Sequence, residues 1–335
     1  MKRRMYLLPL AFAVLLFVCP VPAKATDTAA ENTVLCDSGE WQPSRSALPW
    51  ETVICRGIVE LAGDGEQILR CRLDEGLDFG TVISVACGGE AVNASFYTIV
   101  TARLEDESAF VLHLSAGAGR KDDLLEIRYT VRLNDRSSIG GSGNRFRIEL
   151  SDGKGRTRTG KEGAVFSWSI QVCCGVLIPE TPCQSNPVSG ACLCLYKDPE
   201  LRQRVGFTVR RNDEYLACLD DGCPHTRHTY VMRTPGNGTF LLEGLEAGTY
   251  YLRETRPPDG MTAAAETAEV TVTEEGAVFT SGVLCENGVV RILHTTGTAR
   301  KTKRRRSLLD WYRIGSRIIA AVLAVLVATR RYYLY

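Results

Sequence analysis

Four residues in the second half of the chain have the types and spacing of a metal site. Cys218, Cys223, His225 and His228 form the pattern C-x4-C-x-H-x2-H, and thiolate and imidazole groups are the ligands that Zn²⁺ prefers. The same two cysteines can instead close a disulfide in a glycine-containing loop, with two surface histidines beside it. In an exported protein we expect the disulfide, and we predict no bound metal and no cofactor.

A glutamate in a strand-like segment is the second residue with unusual chemistry. Tyr250, Leu252 and Glu254 occupy alternate positions in the run from Gly248 to Thr255, so all three lie on one inward face of a strand. An inward carboxylate is costly unless it is paired or kept protonated. The spacing therefore predicts a buried Glu254 with a specific partner.

Motifs of known hydrolases and nucleotide-binding proteins are missing from the sequence. We find no G-x-S-x-G, phosphate-binding loop or H-E-x-x-H pattern, and the four histidines are scattered. His113 lies in an apolar run and fits an ordinary strand position. We predict that the protein is not an enzyme; a zinc enzyme built on the Cys/His cluster is the remote alternative.

The N-terminal residues have the three parts of a secretory signal peptide. Three basic residues precede the apolar run Leu7–Pro22, and Ala23-Lys-Ala25 follows it, which predicts export and cleavage after Ala25. An oxidising compartment favours disulfides. The even set of cysteines left after cleavage gives the disulfide candidates, whose connectivity the sequence leaves open: Cys36, Cys55, Cys71, Cys87, Cys173, Cys174, Cys183, Cys192, Cys194, Cys218, Cys223 and Cys285.

The elements that must position these residues are β-strands. Apolar residues alternate in Leu125–Leu133, Arg145–Leu150 and Val165–Ile170, and clusters of glycine, asparagine and aspartate separate such runs. Period-two segments with turn signals at this spacing are typical of antiparallel sandwiches. We find no long amphipathic helix in residues 50–297. The predicted fold is all-β, with two tandem antiparallel β-sandwich domains (Ig-like or prealbumin-like) between a signal peptide and a C-terminal hydrophobic tail.

A stretch without the period-two alternation of strands marks the boundary between the two predicted domains. Cys173–Ser189 contains three prolines and three cysteines and is interpreted as a linker. The predicted organisation is a signal peptide at 1–25, an N-terminal segment at 26–49, a first sandwich at 50–172, a linker at 173–190, a second sandwich at 191–294, and a tail at 295–335.

Charge is distributed unevenly along the chain. Residues 26–297 carry 26 basic and 38 acidic residues, a net charge of −12, which argues against nucleic acid as a partner. The tail is basic around an apolar run, Leu308–Thr329, that contains one aspartate and two arginines. We expect membrane contact through this tail, either as a marginal span or as an amphipathic surface helix.

The stretch from Thr234 to Gly260, TPGNGTFLLEGLEAGTYYLRETRPPDG, resembles the prealbumin-like, collagen-adhesin B-type domain of Gram-positive pilins and surface adhesins. Members of that family show G-L-x-x-G-x-Y-x-L-x-E-T-x-x-P-x-G, and the resemblance covers roughly residues 191–294. In the family the glutamate promotes a Lys–Asn isopeptide bond. The resemblance implies this role for Glu254, with Lys197 and Asn287 as weak partners that are both out of register. His294 stands where the family's asparagine ends the last strand, so we do not expect the bond.

Residues 50–172 resemble, less closely, the isopeptide-forming domain of the same fimbrial subunits. The similarity lies in L-D-E-G-L-D-F at residues 73–79, Y-T-V at 129–131, G-N at 143–144 and a closing strand at 165–170. Cys71 replaces the family's aspartate and Phe146 its asparagine. A self-formed amide is therefore not expected here, and we hypothesise that disulfides replace it.

A pentapeptide near the tail resembles a sorting signal. Leu293, His294, Thr295, Thr296 and Gly297 spell L-H-T-T-G, which is similar to the sortase motif L-P-x-T-G with histidine in place of proline. The other interpretation is a chance match after a strand. The resemblance implies cleavage after Thr296 and transfer to peptidoglycan or another pilin subunit.

Together the resemblances imply an exported cell-surface protein, attached to the membrane or cell wall and similar to a fimbrial subunit. Its partners would be sortase and other pilin subunits or peptidoglycan, with the host or surface ligand left open. Lysines are few between the ends, which favours a minor or terminal subunit. The alternative is a secreted or membrane-held β-sandwich binding module that does not polymerise.

Overall fold

A computed structural model describes residues 31–101, 109–177, 185–211, 214–218, 223–225, 228–264, 267–281, 284–286 and 288–296. The predicted signal peptide, Cys183, Asn287, Gly297 and the C-terminal tail lie outside these residues. The side chains of Cys285, Thr295 and Thr296 also lie outside the description, although their backbones belong to strands. Within the described part of the chain, no helix has the length and hydropathy needed to cross a membrane.

The described residues form an all-β protein of two sandwich units, which confirms the predicted fold class. The only helical element among them is one turn of 3₁₀-helix at Ala94–Phe96. The strands of the first unit are β1 Glu31–Leu35, β2 Trp41–Gln42, β3 Ser44–Ser46, β4 Thr52–Glu60, β5 Gln67–Leu73, β6 Leu77–Cys87, β7 Glu90–Ala91, β8 Tyr97–Val100, β9 Phe110–Leu114, β10 Leu124–Leu133, β11 Asn144–Asp152, β12 Thr157–Thr159 and β13 Gly163–Phe166.

The second unit begins two residues after the first unit's last strand. Its strands are β14 Trp168–Leu177, β15 Ser185–Pro187, β16 Cys192–Tyr196, β17 Phe207–Arg211, β18 Glu214–Ala217, β19 Met232–Arg233, β20 Thr239–Leu245, β21 Gly248–Arg256, β22 Met261–Thr262, β23 Ala268–Val272, β24 Val278–Ser281, β25 Leu284–Glu286 and β26 Val289–Thr296.

Two sheets face each other in the first unit. One has the order β2-β1-β4-β10-β6-β7, and the other β3-β13-β11-β5-β9-β8 with β12 beside β11. In β10 every second side chain points into the core, and Leu125, Ile127, Tyr129, Val131 and Leu133 are all fully buried. The alternation seen in the sequence is therefore the inward face of a half-buried strand.

The second unit is also a two-sheet sandwich. Its first sheet has the order β17-β18-β20-β14-β26-β22, with β15 beside β14 and β25 beside β26. Its second sheet has the order β19-β16-β21-β23-β24. The core between them contains Ile170, Val172 and Cys174 from β14. The first and last strands, β14 and β26, are parallel neighbours in the middle of one sheet.

Three predicted boundaries need correction. The segment 26–49 is not separate, because β1 pairs with β4 and Val34 is buried in the first core. The expected closing strand at 165–170 is split: Val165 belongs to the first core, and Trp168 to the second. The expected linker at 173–190 contains the rest of β14 and also β15. β14 pairs with β20 on one side and β26 on the other. This pairing places the segment in a sheet, although its cysteines and prolines are typical of a linker.

The two units contact each other directly around the chain crossing at Ser167. Leu48 of the first unit is buried in the core of the second, and the backbone N–H of Ala247 donates to Ser46 Oγ at 2.7 Å. Gly244 has a φ of +78°, and a Cβ added there would lie 2.8 Å from Pro49 Cγ. Only glycine fits this close approach without displacement.

Candidate functional site

The most unusual side chain of the second core is Glu254, at the end of the inward row of β21. Tyr250, Leu252 and Glu254 are buried in alternation along this strand, as the sequence predicts. The Glu254 side chain retains only 1% of its accessible surface. A carboxylate so far from water needs partners for its oxygens.

The partner is His294 of β26, whose side chain is fully buried. Its Nε2 lies 2.5 Å from Glu254 Oε1, and its Nδ1 lies 3.4 Å from the carbonyl oxygen of Gly175. The backbone N–H of Ala264 donates to the other carboxyl oxygen of Glu254 at 2.6 Å. Glu254 comes from one sheet and His294 from the other, so the pair joins the two layers across the core.

The hydrogen-bond geometry limits where protons can be. The carbonyl of Gly175 can only accept, so Nδ1 carries a hydrogen if that bond is made. The proton between Nε2 and Glu254 then lies either on the ring, giving an imidazolium–carboxylate pair, or on the carboxyl group, giving two neutral partners. Both arrangements bury no net charge, which reduces the cost of placing two titratable groups inside the sandwich.

Cys174 of β14 is the third polar side chain in this region. Its register partner on β26 is Ile292, two residues before His294, and Cys174, Ile292 and His294 are all buried. Burial, and secondarily the charge of Glu254, raises the pKa of the Cys174 thiol far above its ordinary range. Cys174 is therefore an uncharged thiol and not an activated nucleophile.

The structure does not bring Lys197, one of the two predicted partners, to Glu254. The ammonium group of Lys197 lies on the surface, 2.6 Å from Glu246 Oε1, and Asn287 lies outside the described residues. The sequence prediction began this domain at residue 191, but β14 precedes that residue. Because β14 and β26 are parallel neighbours, the residues that approach Glu254 are Cys174 and His294. The inward alternation Ile170, Val172, Cys174 was the sequence signal that could have identified this strand.

Four of the five residues of the sorting-like pentapeptide lie in a paired strand. Leu293, His294, Thr295 and Thr296 are the last residues of β26, which pairs with β14 on one side and β22 on the other. His294 contributes to the core site described above. A peptide held in a sheet must detach before it can enter another enzyme's cleft, and cleavage after Thr296 stays a prediction.

The predicted disulfide framework is largely absent from the cysteines whose side chains are described. One bond is present, between Cys218 and Cys223. The eight unpaired cysteines are Cys36, Cys55, Cys71, Cys87, Cys173, Cys174, Cys192 and Cys194.

Two of the unpaired cysteines lie together in the first core. Cys55 of β4 is opposite Tyr129 in the sheet, and Cys71 comes from the facing sheet; all three are fully buried. Burial, followed by the charges of Cys71 and Cys55, raises the pKa of Tyr129 well above its ordinary value. Cys71, which stands where the family resembled has an aspartate, therefore lies in the core beside the thiol of Cys55.

The two histidines of the C-x4-C-x-H-x2-H pattern have different surroundings. His225 Nε2 lies 3.0 Å from Asp135 Oδ1 of the first unit, and its ring lies edge-on to Trp50. A ring nitrogen of His228 lies within 4.8 Å of the sulfur atoms of Cys218 and Cys223. The expected disulfide is confirmed, and His113 is an exposed strand residue, as predicted.

The fold and the site define the second unit as a prealbumin-like domain in a tandem, pilin-type arrangement of sandwiches. Residues 183–283 match the family model described as SpaA, prealbumin-like fold domain. No curated protein matches the chain.

Solved structures of major pilins share the fold. The 35 kDa C-terminal fragment of the major pilin GBS80 of Streptococcus agalactiae has a TM-score of 0.55 at 15% identity, covering 73% of this chain and 91% of that one. The full-length major pilin RrgB from Streptococcus pneumoniae has a TM-score of 0.55 at 11% identity, covering 82% and 75%. The group B streptococcus pilus 2b backbone protein has a TM-score of 0.53 at 13% identity, covering 80% and 98%.

Proposed function

We propose that this chain is a non-enzymatic, exported protein of the cell surface with the role of a fimbrial subunit. The observation that carries the proposal is the tandem sandwich architecture shared with major pilins, combined with the prealbumin-like match of the second unit. Glu254 and His294 act in this proposal as an internal clasp between the sheets and not as a catalytic pair.

We further propose a minor or terminal position in a fimbrium. The four lysines between the ends, Lys121, Lys154, Lys161 and Lys197, are all exposed, but none lies in a recognisable donor motif for polymerisation. Lys197 is also engaged by Glu246. The partners in this role are other pilin subunits or peptidoglycan, joined by a sortase, and attachment depends on the tail at 298–335.

A second candidate function is a secreted or membrane-held binding module that does not polymerise. The observation that favours it is the position of Leu293–Thr296 inside a paired strand, which withholds the sorting-like motif from a sortase. In this case the basic, apolar tail alone holds the protein at the membrane.

An immunoblot of envelope extracts boiled in SDS distinguishes the two functions. A ladder of covalent oligomers that disappears in sortase-deficient cells supports the fimbrial subunit. A single band of unchanged mobility in both strains contradicts polymerisation and supports the module. The same blot on membrane and wall fractions reports where the tail places the protein.

Disulfide bracing forms part of the proposal. Cys218–Cys223 is one bond, and we propose that the neighbouring thiols of Cys55 and Cys71 form a second in an oxidising compartment, with a disulfide oxidant accepting their two electrons. A bond of this kind stabilises a fold by about 2–4 kcal/mol. Thiol titration of unfolded, non-reduced protein tests the idea: close to twelve free thiols would contradict it.

A further inference from the structure

The loop that carries Cys218 and Cys223 is fixed at both ends to strand β17. The backbone N–H of Cys218 donates to the carbonyl of Gly206 at 2.9 Å. At the other end, Thr229 and Phe207 exchange two backbone hydrogen bonds of 2.8 Å. His228 directly precedes this second anchor. Cys218 and His228 thus lie at or next to backbone anchors on the same segment, and the disulfide ties Cys223 to Cys218.

Three ligand-type atoms converge at this segment. The sulfur atoms of Cys218 and Cys223 and a ring nitrogen of His228 all lie within 4.8 Å of one another. Two sulfurs and a nitrogen bound to one zinc ion at tetrahedral angles would be separated by about 3.5–3.8 Å. Small movements of the side chains, without rearrangement of the anchored backbone, would bring the three atoms to those separations.

An independent observation concerns the hydrogen bonding of His228. Its Nδ1 is buried and has no hydrogen-bond partner among the described residues, although buried ring nitrogens are normally satisfied. Its neighbour in the motif, His225, already has Asp135 as a partner. The two histidines therefore differ: His225 is engaged at the contact between the units, whereas His228 has an Nδ1 without a partner among the described residues and a ring nitrogen within 4.8 Å of two sulfurs.

We propose that Cys218, Cys223 and His228 are a Zn²⁺ site in the reduced protein, in exchange with the disulfide. A dithiol reductant supplies two electrons and two protons: the Sγ–Sγ bond breaks, two thiols form, and the reductant becomes a disulfide. Zn²⁺ then binds both sulfurs as thiolates, and their two protons pass to solvent. His228 contributes a nitrogen lone pair, and water occupies the fourth position.

The exchange between the disulfide and the zinc site would take place beside the contact between the two units, which His225 makes with Asp135. The disulfide fixes Cys223, two residues before the His225 that contacts Asp135 of the first unit, and the bound ion would fix both Cys223 and His228, on either side of His225. The reduced, metal-free protein lacks both constraints. We therefore expect its loop to exchange amide hydrogens faster than in the oxidised or the zinc-bound form, and zinc to restore the slow exchange.

Cobalt binding to the reduced full-length chain tests the proposal, because tetrahedral Co²⁺–thiolate sites absorb in the visible and near ultraviolet. The chain is reduced with a phosphine under anaerobic conditions, treated with a chelator, and titrated with Co²⁺ and then Zn²⁺. Cys218→Ser/Cys223→Ser keeps the other thiols and measures their background. His228→Ala tests the nitrogen ligand, and His225→Ala is the matched control in the same loop.

We expect one equivalent of Co²⁺ beyond the double-serine background, displaced by Zn²⁺ and lost on oxidation to the disulfide. His228→Ala should weaken binding at least tenfold, whereas His225→Ala should bind like the wild type. Zinc should also protect Cys218 and Cys223 from alkylation, as read by peptide mass spectrometry. If the reduced wild type binds no more Co²⁺ than the double-serine variant, or if His228→Ala binds equally tightly, the site does not exist.

Discussion

Replacing His294 by leucine tests the internal clasp most directly. The substitution removes the imidazole from a fully buried position and leaves Glu254 Oε1 without the contact that now lies at 2.5 Å. Removing one partner of a buried pair leaves the other group uncompensated in the core, which costs about 3–5 kcal/mol when the pair is imidazolium and carboxylate. We expect a loss of that size in the second unit.

The double substitution with Glu254→Leu shows whether the cost belongs to the pair. Glu254→Leu alone leaves Nε2 of His294 without a partner and also removes the acceptor of the Ala264 N–H, so its expected cost is similar. Removing both groups together leaves no uncompensated titratable group. The remaining losses are the bonds of Ala264 N–H and of the Gly175 carbonyl, about 1–3 kcal/mol each where the group stays unsatisfied. The double variant should therefore be more stable than the sum of the single effects predicts, by at least about 2 kcal/mol.

Hydrogen exchange read by mass spectrometry is the appropriate assay, because two units need not unfold in one transition. Peptides from β21 and β26 report on the clasp, and peptides from β4 and β10 are an internal reference. Lys197→Ala is the matched control: its ion pair with Glu246 spans 2.6 Å, but the two side chains are 35% and 23% exposed. That pair should contribute less than about 1 kcal/mol. Additive single effects, or a His294→Leu cost no larger than the control's, would refute the reasoning.

Four further outcomes are expected. In the reduced protein, burial raises the pKa of Cys71 to about 12, so iodoacetamide should label the partly exposed Cys36 before unfolding and Cys71 only after it, as read by peptide mass spectrometry. Cys174→Lys with His294→Asn should place an amine and a carboxamide opposite the buried carboxylate, and intact mass should show amide formation with loss of one ammonia; an unchanged mass would contradict this placement. Hydrogen bonds from two arginines lower the pKa of Glu162 below its ordinary 4.5, so its contribution to stability is present above that pH and lost as pH falls through the lowered pKa; Glu162→Gln should flatten thermal stability against pH in that acid range. Pulling the chain from both ends should unfold the second unit of His294→Leu at a lower force than that of the wild type.

The local part of the fold was predictable because strand periodicity is a local property. The alternation of Leu125–Leu133 corresponds to β10, and the inward position of Glu254 follows from counting along one strand. In both cases a half-buried strand imposes a period of two on the sequence. Nothing beyond the segment itself is needed to read that pattern.

The partner of Glu254 was not predictable in this way. It depends on β14 lying parallel to β26, a pairing between residues more than one hundred positions apart. Two local signals also pointed elsewhere. The cysteines and prolines at 173–189 suggested a linker, and the pentapeptide around His294 suggested a sorting signal. Tertiary pairing outweighs local composition at both places.

The position of β14 and β26 bears on how the second unit would carry load. The chain enters this unit at the start of β14 and leaves it at the end of β26, and the two strands run parallel from Gln171 beside Val289 to Val176 beside His294. Force applied to the two ends therefore slides one strand along the other, so that the backbone hydrogen bonds between them are loaded together and not one after another. The contact between His294 and Glu254 ties the exit strand to the opposite sheet at the end where the force is applied. A buried pair at this position opposes the first step of detachment, as the proposed role in a surface fibre would require.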